Sequence, residues 1–73
     1  MNKDVLREFI KQNAVSFGGN RIITQIELSS ILTKEDSDKL SSDSEKRGFG
    51  KTAKYYAEDC DKLTDVVFNI LNQ

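Results

Sequence analysis

Apolar positions at the start of the chain recur at three- and four-residue steps. Val5, Leu6, Phe9 and Ile10 share one side, and Lys3, Arg7, Glu8 and Lys11 lie opposite. That period predicts an amphipathic helix from about Lys3 to Asn13, which Asn2 or Asp4 can cap. Asn13 and then Gly18-Gly19-Asn20 are stop and turn signals. Val15 and Phe17 between them allow a brief extension, and β-branched Ile22 and Ile23 after Arg21 allow another short extended piece. A helical pattern resumes at Thr24. Thr24 and Glu27 form a T-x-x-E capping box, Ile23 and Leu28 are placed for a hydrophobic staple, and Ile23, Leu28, Ile31 and Leu32 face a core. Thr33-Lys34-Glu35-Asp36 is a second cap of the same kind. It predicts a tight turn after Leu32 and a new helix running to about Arg47. That helix has one aliphatic anchor, Leu40, so most of its surface is left to solvent or a partner.

The last block, Lys51 to Asn72, carries Ala53, Tyr56, Cys60, Leu63, Val67 and Ile70, which continue from Phe49 just before it at alternating spacings of four and three. This is an a/d heptad seam, widened by Tyr55, Val66 and Leu71. As one long helix it closes the core of its own domain or pairs with a second copy, with Tyr56, Cys60, Leu63, Val67 and Ile70 as the contact line. The acidic run Glu58-Asp59-Cys60-Asp61 supports a different reading, a break into two helices or into a short β wing followed by a helix.

Composition narrows what such a chain can do. With 73 residues it is one domain, 1–73, and a domain this short buries only about 60% of its unfolded surface. One cysteine and no histidine exclude a disulfide framework, a zinc site and any Ser-His-Asp or Cys-His arrangement. The expectation is therefore no enzyme and no cofactor. No segment is apolar for the ~18 residues a membrane span needs, and Met1-Asn2-Lys3-Asp4 leads into an amphipathic pattern, so the chain is read as cytoplasmic, with Cys60 reduced. A net charge of −1 argues against a general polyanion binder.

One stretch departs from that balance. Lys46-Arg47-Gly48-Phe49-Gly50-Lys51-Thr52-Ala53-Lys54 holds four cations and no acid. Its glycines allow the backbone to approach a phosphate. It is not a nucleotide-binding loop, because the G-x-x-x-x-G-K-T pattern requires glycine where Glu45 stands. Asp59, Asp61 and Asp65 lack the spacing and glycine of a calcium loop and read as a solvated helix face.

The residues Thr24-x-x-Glu27-Leu28-Ser29-x-Ile31-Leu32, a turn at Thr33 to Asp36, and Ser37-x-x-Leu40-x-x-Asp43-Ser44-x-Lys46-Arg47-Gly48-Phe49 resemble small helix-turn-helix or winged-helix DNA-binding regulators of phage or plasmid type. The resemblance implies an all-α domain, with a short β wing as its one variation: a three-helix core followed by a C-terminal amphipathic helix. It also implies a role in transcription or replication control on double-stranded DNA. In that role Lys39, Ser41 and Ser42 approach the groove, Lys46, Arg47, Lys51 and Lys54 hold phosphates, and two-fold pairing supplies affinity. A rival reading rests on charge. Glu35, Asp36, Asp38, Asp43 and Glu45 give the same helix the look of a phosphate mimic, as in a small acidic inhibitor that binds and blocks a basic host protein.

Overall fold

A computed structural model describes residues 1–46 and 53–73, with side chains up to Asp43 in the first segment. The elements run α1 (Lys3–Asn13), β1 (Val15–Phe17), β2 (Asn20–Thr24), α2 (Gln25–Ser29), α3 (Lys34–Lys46), β3 (Lys54–Ala57) and α4 (Cys60–Leu71). The three strands form one antiparallel sheet in the order β1-β2-β3. The protein is thus a small α/β domain, and the expectation of an all-α three-helix core with a C-terminal helix is corrected.

Two local features account for the correction. Gly18 and Gly19 have φ of +57° and +83°, and Phe17 pairs directly with Asn20 across them. A two-residue connection with both φ positive matches the right-handed twist of the strands it joins, so the extended pieces on either side close into a hairpin. The second feature is the acidic run. Asp59 adopts extended backbone and its carboxylate accepts the Lys62 N–H at 2.8 Å, which caps α4 there and ends any helix arriving from the N-terminal side. The described part of the last block, from Ala53 on, is therefore a strand and a helix, not one helix.

β3 adds to the hairpin that precedes the helix pair, with Ile23 opposite Tyr55 and Ile22 opposite Tyr56. Successive strand residues point to opposite faces. Tyr55 is accordingly 1% exposed, whereas Tyr56 is 64% exposed and lies outside the core. The rest of the heptad line divides: Cys60 is half-buried at the start of α4, and Leu63, Val67 and Ile70 are buried.

The core lies between the inner sheet face and the helices. Leu6 and Ile10 of α1, Ile23, Leu28, Leu40, Tyr55, and Leu63, Val67, Ile70 and Leu71 of α4 form one cluster. Polar links flank the α1–α4 contact: Lys3 meets Asp65 at 2.7 Å, Arg7 meets Asp61 at 3.3 Å, and the Lys3 ammonium lies 5.4 Å from the centre of the Phe68 ring. These pairs are half-open to water and orient the helices more than they stabilise them. The outer sheet face carries no covering helix among the described residues.

Candidate functional site

α3 has little apolar surface to set its orientation, and hydrogen bonds fix it instead. Leu40 is fully buried, and its carbonyl accepts from the Tyr55 hydroxyl at 3.3 Å. On one flank, Gln25 Nε2 donates to Ser41 Oγ at 2.7 Å. On the other, Lys39 Nζ donates to the Leu71 carbonyl at 3.1 Å, at the end of α4 where helix carbonyls lack intrahelical partners. Three tethers on three neighbouring residues leave α3 one outward stripe.

That stripe is Glu35, Asp38 and Ser42, spaced three and four apart, with Lys34 beside it at the first position. All four are exposed, and none of them joins an ion pair among the described residues. Asp36 is turned toward the N-terminal ammonium of Met1, 4.0 Å away. Two recesses border the stripe. One, of about 500 Å³, lies between α3 and the end of α4 and is lined by Glu35, Asp38, Lys39, Ser42, Asp43, Ile70 and Gln73. The other, of about 270 Å³, lies between α2 and α3 and is lined by Gln25, Ile26, Ser29, Ser37, Asp38 and Ser41. Asp38 belongs to both. Ile26, 62% exposed, supplies apolar surface at the edge of the second.

The residues expected at a DNA groove are distributed over two surfaces. Lys39 and Ser41 lie on α3 but are engaged in the internal bonds above, and Ser42 sits on the acidic stripe. Lys54 is exposed on β3, opposite Thr24, and so belongs to the sheet. Lys46 closes α3, with its side chain outside the described residues; Arg47 and Lys51 lie outside them altogether, as does the start of the expected wing.

Comparison with protein-family models, with curated proteins and with solved structures finds no match for this chain.

Among the described residues no helix is long and apolar enough to cross a membrane, and no group of three His, Cys, Asp or Glu side chains is placed to hold a metal ion. The arrangement offers carboxylate and hydroxyl acceptors on a tethered helix beside two recesses lined mainly by polar side chains, with Ile70 and Ile26 as their apolar members. It suits the reception of cationic side chains better than the approach of a phosphate backbone. Gln25 escaped the sequence reading: a polar residue directly after a capping threonine looks solvent-facing, yet it is 5% exposed. The apolar outer sheet face escaped it too, although the parity of a hairpin turning at Gly18-Gly19 puts Val15, Phe17 and Ile22 on one side.

Proposed function

We propose that this protein is a small binding protein, not an enzyme, and that it presents the outward stripe of α3 to a basic partner protein and blocks it. One observation carries the reading. The tethers on Lys39, Leu40 and Ser41 turn the helix so that Glu35, Asp38 and Ser42 face solvent, while the cation at Lys39 is drawn onto the Leu71 carbonyl. An exposed ion pair contributes at most about 1 kcal/mol, so charge alone makes a weak complex. Ile26, at the rim of the recess that Asp38 lines, adds the apolar contact such an interface needs.

Calorimetric titration with an arginine-rich helical peptide tests this. Wild type binds, binding weakens with salt, and Glu35→Lys with Asp38→Lys removes it. Equal binding by the double variant refutes the reading.

A second reading is supported by Lys54, which stands exposed at the end of a sequence run containing Lys46, Arg47 and Lys51. It is DNA binding in transcription or replication control, through the sheet side of the domain and not through α3. Random-sequence duplex DNA at low salt checks it: retention that Lys54→Glu weakens supports it, and no retention removes it.

A further inference from the structure

We infer that the outer face of the sheet is the contact surface for a second copy of this chain. Cross-strand pairing aligns Val15, Ile22 and Tyr56 in one row across all three strands. Phe17, two residues along β1 from Val15, extends the same face toward the hairpin turn. Val15, Phe17 and Tyr56 are 60%, 74% and 64% exposed, so the face is apolar and open.

The size of the patch indicates what it fits. The exposed parts of Phe17, Tyr56 and Val15 amount to roughly 350 Å² per copy, within the range of the largest apolar patch on a monomer, the kind of patch that often serves a contact. Two such faces remove about 700 Å² before Ile22 and the neighbouring polar residues are added, which approaches the ~1,000 Å² of a small specific interface. Charge allows self-association as well. Lys54 is the one charged residue on this face among the described residues, and it lies at the end away from Phe17. A two-fold axis running across the strands keeps the two Lys54 side chains at opposite ends of the interface. The edge strand β1 carries neither charge nor proline, the residues that ordinarily keep an edge from meeting other chains. A single-stranded nucleic acid is a poorer fit, because aliphatic Val15 and Ile22 separate the two rings.

Sedimentation equilibrium from about 10 µM to about 1 mM tests the proposal. Wild type should pass from 8.3 kDa toward twice that mass as concentration rises. Phe17→Thr with Tyr56→Thr, both at exposed strand positions, should raise the required concentration by about tenfold or more while leaving the far-ultraviolet spectrum unchanged. A wild-type monomer throughout the range overturns the proposal. So does a dimer indifferent to the double variant, or a monomer whose Tyr56 amide shifts on addition of oligothymidylate. The α3 reading is unaffected by any of these outcomes, because neither substitution touches α3.

Discussion

Tyr55 and Tyr56 are the same residue in adjacent positions with opposite environments, and truncating each in turn tests the register of β3 directly. A domain of this length has a total stability of about 4–11 kcal/mol. Tyr55→Ala removes a fully buried ring from the contact between the sheet, α3 and α4, a loss of about 3–5 kcal/mol. It also withdraws the hydroxyl that donates to the Leu40 carbonyl. The variant should therefore sit close to the unfolding threshold. Tyr55→Phe, which deletes only the hydroxyl, should cost about 1 kcal/mol and lower Tm by about 4–8 °C. Tyr56→Ala empties an outer-face position and should cost less than about 1 kcal/mol, mainly in strand preference. Urea unfolding followed by circular dichroism reads all three, at two protein concentrations to separate any association through Tyr56. If Tyr56→Ala is the more damaging change, the strand is displaced by one residue and the helical heptad line through Tyr56 is the correct description.

Thr24→Ala removes the oxygen that accepts the Glu27 N–H and should cost about 1 kcal/mol in the same assay; no change would mean that α2 is held by its tertiary contacts alone. Gly19→Ala meets no atom within 4 Å, so its cost is purely that of φ at +83°, about 1–2 kcal/mol, whereas Gly18→Asn should be nearly neutral because asparagine accepts the left-handed region. The Glu58 carboxylate, by hydrogen bond and then by charge, raises the Lys62 pKa above its ordinary value of 10.5. A cation favoured in the folded state contributes stability that is complete below 10.5 and is lost as pH climbs through the raised value; Glu58→Gln should flatten that alkaline limb of the stability curve, and an unchanged limb refutes the link.

Local signals were readable in the sequence wherever neighbouring residues alone decide the structure. The span of α1, its Asn2 cap, the Thr24–Glu27 box and the buried Ile23 and Leu28 all follow from spacing and capping chemistry within one or two turns. The sheet was less legible because its evidence is divided. Val15 to Phe17 is only three residues, Lys54 to Ala57 only four, and the second strand's partner lies more than thirty residues along the chain. The heptad pattern through Tyr56 misled because spacings of three and four also arise when a strand and a helix abut at a capping aspartate. At α3 the polar character was evident but its rotation was not. That rotation depends on Gln25, Tyr55 and the Leu71 carbonyl, which meet α3 only once the chain has folded. The acidic stripe could therefore not be separated in advance from Lys39 and Ser41, which share its helix but not its exposure.

The proposed interface sets Glu35, Asp38 and Ser42 of α3 against a basic partner. Amide-resolved NMR titration tests it most directly, with an arginine-rich helical peptide in one series and random-sequence duplex DNA in the other, both at about 50 mM salt. The peptide should shift the amides of Glu35, Asp38, Ser42 and Ile26 ahead of those at Glu58 to Asp61, and DNA should leave α3 unmoved. Shifts on α3 caused by DNA, or peptide shifts confined to Glu58 to Asp61, would contradict it.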